Sequence, residues 1–425
     1  MSNLSEETRE GPARERKQTR PVPDEALPHV TIIRPCKDAD PLLRECLASA
    51  FQQNYPSSRL SIALCVSSRT DAAFPAVQEA AAHHADFRVR VYVEEEEDAG
   101  ATASLGPNPK VRNMSRAYRN AESDIVWILD SNTWVEPDAC RRMVEELQGL
   151  GGGDKARPYK MVLHMPIAIN VAAEYDACGA LEEVHAAGSF ARLYTAINVL
   201  GVGPCVTGKS TMFRRSDLDR RACTLLRCRE AAATPGPRCN HNGLEGAAAE
   251  GPTRGKHCLI ADQVAIQPVR IGYRGFMHRR VRWIRCRKYE YWPGTLMEQW
   301  VECILFSGVI AHAVGGALAL ALARDPPTWA SFGGLWALSM LGWAALDWST
   351  GLLLRRYCLG RLAAACPGPS SGAWRGRARL AVVVLVGAAG GGVESGVAGG
   401  DLLGEYVGVE GRKYKMLFNG RAKDY

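Results

Sequence analysis

The chain has 425 residues, with 52 Lys+Arg against 45 Asp+Glu and a net charge of +7. Hydrophobic residues make up 47% and charged residues 23%, close to ordinary globular usage, which excludes a disordered chain, a collagen and a small disulfide scaffold. The charge excess is too modest to call for a nucleic-acid partner. The 14 cysteines include no CxxC pair, so they point to reduced thiols facing the cytosol rather than to a zinc site.

Residues 1–29 are almost all polar and lack an apolar core, so they read as a disordered tail, neither signal peptide nor signal anchor. From Val30 the pattern changes. VTIIRP, LSIALCVSS, VRVYV and DIVWILD read as four strands, rich in β-branched and aromatic residues. DPLLRECLASAFQQ, FPAVQEAAAHHA, VRNMSRAYRNA and EPDACRRMVEELQ have helical spacing. Asp40 is available as the N-cap of the first helix, with Pro41 at its first position. This alternation predicts an α/β fold with a mainly parallel sheet covered on both faces. In such sheets ligands bind at the carboxyl ends of the strands. KMVLHMPIAI adds a strand, LEEVHAAGSFARLYTAINVL a long amphipathic helix, and PCVTGKSTMF a glycine-containing loop entering another strand. GKS lacks the context of a phosphate-binding loop. Residues 228–256, rich in Ala, Gly and Pro, read as a low-complexity insert.

After residue 300 come three apolar stretches, 303–323, 328–346 and 380–393. The first is uncharged and long enough to cross a hydrocarbon core of roughly 30 Å. The third is short and Gly-rich, and reads as re-entrant, interfacial or part of one more crossing. HRRVRWIRCRK precedes the first span, RDPP joins the first two, and Arg355, Arg356, Arg361, Arg375, Arg377 and Arg379 follow the second. Basic flanks stay on the cytoplasmic side, which places the α/β part in the cytosol.

Three features carry chemistry. Asp130 ends a strand in WILDSN, where a carboxylate can hold a divalent metal and the metal a diphosphate. A turn or N-cap role is equally open to it. Asp71, in SSRTD after another strand, can hydrogen-bond a ribose or uracil edge. Arg279, Arg282 and Trp283 fit R-x-x-R-W. The two arginines are three apart and share a helix face, suited to a phosphate-bearing leaving group, or to a basic belt flanking a membrane.

VTIIRPCKDADPLL, LGPNPKVRNMSRAY, DIVWILDSN, PCVTGKSTMFRR and HRRVRWIRCRKY, in that order, resemble the ceramide glucosyltransferase family, nearest in wording to its fungal versions. The resemblance covers about residues 30–310 and a C-terminal RKYK. It implies a GT-A-type, Rossmann-like nucleotide-sugar domain over 30–290 and a membrane region with transmembrane helices and a basic tail over 291–425. It also implies inverting transfer of glucose from UDP-glucose to the primary hydroxyl of ceramide, a divalent Mg or Mn ion, and a Golgi or ER membrane. By position, Asp71 and Asp130 match the family's first two aspartates, with Asp130 toward the metal. Lys110 matches a lysine near the nucleotide, and Arg279, Arg282 and Trp283 match the terminal motif.

The third aspartate, the family's general base, has no clear match. Asp262 in LIADQVAIQPV is the nearest candidate, with Glu245 and Glu250 in the insert behind it. The family's N-terminal span is absent from the matched pattern. Phe190 stands where the family carries histidine, His185 lies five residues earlier, and a tryptophan before RKYK is missing. The alternatives are a catalytically impaired or mispredicted chain without its base, and a processive polysaccharide synthase.

Overall fold

The computed structural model of the chain describes residues 22–84, 86–96, 108–150, 158–172, 177–200, 206, 208–219, 257–290, 304–322, 328–365, 406–409, 412–416 and 422–424. Every residue of Val30–Pro35 (β1) is buried. Its side chains alternate between two apolar clusters: Val30 and Ile32 enter one, Ile33 the other. Ile125–Leu129 (β4) repeats the pattern, with Ile125, Trp127 and Leu129 on the first side and Val126 and Ile128 on the second. These two strands form the doubly covered centre of a sheet.

Seven strands share that sheet: β1, Leu60–Val66 (β2), Arg88–Val93 (β3), β4, Met161–Asn170 (β5), Ser210–Arg214 (β6) and Cys258–Val269 (β7). Their order is β3-β2-β1-β4-β6-β5-β7. Only β6 runs antiparallel to its neighbours; the other adjacent pairs are parallel. The carboxyl ends of the remaining strands therefore line one edge, and β6 begins at it.

Helices Leu43–Phe51 (α1), Phe74–His83 (α2) and Ala139–Gln148 (α4) cover one face through Leu47, Val77 and Met143. Pro109–Arg119 (α3) covers the other through Ala117. Ala177–His185 (α5) continues through a π-helical stretch, Ala186–Tyr194, into Thr195–Leu200 (α6). Tyr273–Glu290 (α7), Phe306–Ala321 (α8) and Trp329–Ala365 (α9) follow. Tyr406–Val409 (β8), Arg412–Met416 (β9) and Ala422–Asp424 (β10) make a second, antiparallel sheet.

The α/β fold expected from the alternation is present, with three local differences. Residues 22–29 are packed rather than loose. Leu27 is fully buried, and Arg141 binds the Val22 carbonyl at 2.9 Å and the Asp24 carboxylate. The helix expected from Asp40 starts at Leu43. Leu42 occupies the cap position with φ 53° and no side-chain cap bond, a left-handed geometry that a bulky residue rarely adopts. The second apolar stretch does not end at Leu346. It runs on as a 37-residue helix, about 55 Å long, because the polar residues beyond Leu346 find partners on the α/β unit. Among the described residues α9 is the one helix long and apolar enough to cross a membrane, and α8 is a shorter apolar helix. The Trp336 indole donates to the Ile304 carbonyl at 3.0 Å, tying α9 to the start of α8. The insert 228–256, the third apolar stretch 380–393 and residues 1–21 lie outside the described residues.

Candidate active site

Asp130 follows the last residue of β4, at the shared carboxyl edge. Its backbone N–H donates to the Lys209 carbonyl at 2.9 Å, at the entrance to β6. Its side chain lies between two ammonium groups, with Lys110 Nζ 2.5 Å from Oδ1 and Lys209 Nζ 3.0 Å from Oδ2. Lys110 sits in the first turn of α3, where the Asn108 carboxamide caps the helix by accepting the Lys110 N–H at 3.1 Å. Lys110 Nζ also donates to the Gly208 carbonyl at 2.8 Å. Gly208 has φ 68°, a conformation open to glycine, and it turns the chain just before Lys209. Burial by itself pushes the Asp130 pKa up. The two lysines outweigh it and bring the pKa down to about 2, so the carboxylate is ionised throughout the physiological range.

Arg34, fully buried at the end of β1, supports this loop from beneath. Its Nη2 donates to the carbonyls of Ser131 and Thr133, each at 3.1 Å. Deeper still, Ser210 Oγ accepts the Trp127 indole N–H at 3.0 Å and bonds His164 Nδ1 at 2.8 Å. Burial drives the His164 pKa down to about 4, so the imidazole is neutral, as a core residue must be.

Three carboxylates converge on the end of β1. The buried Cys36 thiol, pushed up to about 12 chiefly by burial, has Arg34 lowering it and Asp40, Asp71 and Asp130 raising it further. Asp71 accepts the Ser67 hydroxyl at 2.8 Å and the N–H groups of Asp38 and Ala73 at 2.9 Å each. It thus pins the β1–α1 loop and opens α2, with acceptor capacity for one more donor. Asp40 accepts the Ser131 hydroxyl at 3.3 Å. Burial raises its pKa most, Lys209 opposes that, and Asp130 and Arg279 lie close enough to act on it too.

Arg279 is therefore brought to the Asp130 edge. It also donates to the buried Glu182 of α5 at 3.0 Å, beside Arg280, which reaches the same carboxylate at 2.7 Å. Arg282 and Trp283 lie on the next turn of α7; their side chains are outside the described set. Asp262 is placed differently. It occupies a bulge in β7, between Ile260, paired with His164, and Val264, paired with Met165. Its carboxylate takes Arg142 of α4 at 3.1 Å, and its carbonyl accepts Tyr357 and Arg361 of α9 at 3.0 and 3.1 Å. Lys110 and Asp130 are in direct contact, and Asp71 and Arg279 are near enough to act on Cys36 and Asp40 beside them, whereas Asp262 is engaged three strands along the sheet order from β4.

Sequence reasoning missed Lys209, Asp40 and Arg34. Lys209 sits in the GKS stretch set aside as a poor phosphate loop. The better signal there was a glycine-lysine pair directly before a strand. Asp40 was assigned to the cap of α1, which the left-handed Leu42 rules out. Arg34, a cation inside an otherwise apolar strand, was the most visible sign of a buried polar support, since a buried charge must find partners.

The family description "Glycosyl transferase family 21" matches residues 8–222. A ceramide glucosyltransferase of Pyricularia oryzae is 37% identical, covering 76% of this chain and 71% of that one. A ceramide glucosyltransferase of Gibberella zeae is 34% identical, covering 76% and 70%. Among solved structures, a mannosyltransferase from Pyrobaculum calidifontis in complex with GDP-Man and Mn2+ is 18% identical. It covers 82% of this chain and 79% of that one with a TM-score of 0.38, too low to carry an argument.

Proposed function

We propose, because this chain belongs to glycosyl transferase family 21, that it transfers glucose from UDP-glucose to the primary hydroxyl of ceramide, with inversion, giving glucosylceramide. The observation that carries the reading is the Lys110–Asp130–Lys209 group at the carboxyl edge of the sheet. Two ammoniums flank one carboxylate, and Arg279 lies close enough to act on the neighbouring Asp40. Such a field suits the departing diphosphate of a sugar nucleotide.

In this reading Asp71 takes the uridine with its remaining acceptor capacity, and Lys110 and Lys209 hold the diphosphate. Arg279 and Arg282, one turn apart on α7, stabilise the UDP that leaves, while Trp283 stacks on sugar or acceptor. Among the described residues no three His, Cys, Asp or Glu side chains cluster as metal ligands. Asp130 would hold a Mg or Mn ion once Lys110 and Lys209 turn from its two oxygens to the diphosphate, as one ionised carboxylate that substrate phosphates supplement, an arrangement usual for Mg. When bound, such an ion supplies Lewis-acid charge to the leaving diphosphate.

The reading divides the chain into a tail (1–29), a cytosolic catalytic unit (30–290) and a membrane region (291–425), with residues 22–29 packed on the catalytic unit. A Golgi or ER bilayer would hold α8 and α9, bringing the site to a lipid acceptor. The test is expression in cells lacking glucosylceramide, with UDP-glucose and ceramide added to their membranes. The unchanged chain is expected to form glucosylceramide. Asp130→Ala is expected to lower the rate by at least about a hundredfold while remaining in the membrane pellet. An unchanged rate in that variant removes the proposed site.

A further inference from the structure

Asp40 is a carboxylate beside the Asp130 loop whose side chain is lightly engaged. It does not cap α1, where no side chain caps the helix. Among the described residues no lysine or arginine is in ion-pair contact with it, in contrast to Asp130 and Asp262. Its hydrogen-bond donor is the Ser131 hydroxyl, 3.3 Å away, on the residue next to Asp130. A carboxylate that accepts so little keeps lone pairs for a substrate.

The backbone holds it there at a cost. Asp38 and Leu42, two residues to either side, both have left-handed φ, 57° and 53°. Non-glycine residues rarely adopt such geometry unless their surroundings impose it. Asp71 fixes one end by accepting the Asp38 N–H at 2.9 Å. The other end is fixed by packing: Leu42 lies against the cluster of Trp134, Ile167, Tyr194, Ile266 and Leu362, which reaches from β5 and β7 to α9. Asp40 therefore lies in a short segment that meets Ser131 beside Asp130 and, two residues on at Leu42, the apolar cluster that reaches α9. An acceptor whose head must enter from the bilayer side would meet it there.

We propose that Asp40 is the general base that removes the proton from the lipid acceptor's primary hydroxyl. This rests on the glucosyl-transfer reading above. An Asp40 carboxylate oxygen takes the hydroxyl proton as the acceptor oxygen forms its bond to the anomeric carbon. The bond from that carbon to the β-phosphate oxygen breaks, and its electron pair leaves with UDP. The proton on Asp40 then passes to water. Burial raises the affinity of Asp40 for a proton and makes it a stronger base than an exposed aspartate. Asp262, with both carboxylate oxygens on Arg142 at 3.1 and 3.3 Å, is less free to act.

The experiment compares the full-length chain with Asp40→Asn, Asp40→Glu and Asp262→Asn in membranes, reading transfer to ceramide, KM for UDP-glucose and UDP binding. Asp40→Asn keeps the shape of the side chain. It is expected to slow turnover by about 10²- to 10⁴-fold, with KM and UDP affinity within about twofold of the unchanged chain. Asp40→Glu is expected to recover part of the rate. The groups facing Asp40 are Lys209, Asp130, Arg279 and the Ser131 hydroxyl. In the unchanged chain the rate should rise with pH as Asp40 deprotonates, and that acid limb should move in Asp40→Glu. Near-normal turnover in Asp40→Asn overturns the proposal, as does loss of UDP binding in step with activity, which would make Asp40 a donor-site or structural residue. Inactivity of Asp262→Asn beside an active Asp40→Asn gives the role to Asp262. No transfer by the unchanged chain overturns the glucosyl-transfer reading and this proposal with it, whereas an active chain with an active Asp40→Asn overturns this proposal alone.

Discussion

Asp40 accepts a hydrogen bond from Ser131, the residue next to Asp130, and the surroundings of the two carboxylates push them in opposite directions. Burial favours the neutral form of both. At Asp130 two lysines reverse the effect and bring the pKa to about 2; at Asp40 burial prevails and the pKa is raised. Carboxylates separated in this way divide their work, one staying charged and the other exchanging a proton. Lys209 is the residue that serves both, pairing with Asp130 at 3.0 Å and opposing the burial of Asp40. Lys209→Ala should therefore raise KM for UDP-glucose by about tenfold, the loss of one charge-assisted contact of about 1.4 kcal/mol. It should also make Asp40 harder to ionise, moving the acid limb of the rate profile to higher pH. Steady-state kinetics as a function of pH checks both. An unchanged KM would mean that Lys209 serves Asp130 alone.

At the scale of elements, the long helix α9 has two halves with different surfaces. Its first half is apolar and carries exposed leucines such as Leu338 and Leu341. Its second half docks on the catalytic unit. Asp347 pairs with Arg192 at 2.8 Å, Arg355 with Glu183, and Arg361 with Glu136 at 3.2 Å. Cys358 and Leu362 fill an apolar cluster with Trp134 and Ile266. Neighbouring glutamates of α5 divide the contacts, Glu182 binding Arg279 and Arg280 while Glu183 binds Arg355 and accepts the Asn170 N–H at 2.6 Å. The helix carrying the arginine motif and the long apolar helix α9 are thus fixed to one intermediary. Glu183 is buried and Arg355 partly so, so removing the arginine strands the glutamate's charge. Arg355→Ala should cost about 3–5 kcal/mol, and replacing both by leucine should recover most of that. Denaturant unfolding in detergent measures it. A loss under about 1 kcal/mol would mean that the pair is solvated.

For the whole molecule, the apolar surface of α8 and α9 decides where the chain resides. Leu320, Leu338 and Val309 are 86%, 64% and 65% exposed, a display that water tolerates poorly and lipid accepts. Replacing Leu338 and Leu341 together by arginine should cost about 2.5–3.5 kcal/mol of insertion at each position. That should move the protein from the carbonate-resistant pellet toward the supernatant. Retention equal to the unchanged chain would place anchorage elsewhere. Docking of the second half of α9 on the α/β unit also predicts that the freed protein loses transfer to membrane ceramide before it loses UDP binding, since the donor group lies on the sheet edge and needs no lipid.

The sequence by itself determined the first strands of the large sheet, its doubly covered centre and the strand-end position of Asp130, but not the small antiparallel sheet of β8–β10, which read as a basic tail. These follow from local signals: β-branched runs, helical spacing, and an aspartate directly after WIL. The order of the five motifs was likewise legible, because it is written along the chain. What only the tertiary structure decided rests on contacts between distant residues. Lys110 meets the Gly208 carbonyl across 98 positions, Ser131 meets Asp40 across 91, and Arg355 meets Glu183 across 172. No periodicity reports such a meeting, since it depends on β6 entering the sheet between β4 and β5 and on α9 folding back onto α5. For the same reason Asp40 read as a helix cap and Asp262 as a free base. Their neighbours along the chain suggested those roles; their neighbours in space are Ser131 for Asp40 and Arg142 for Asp262.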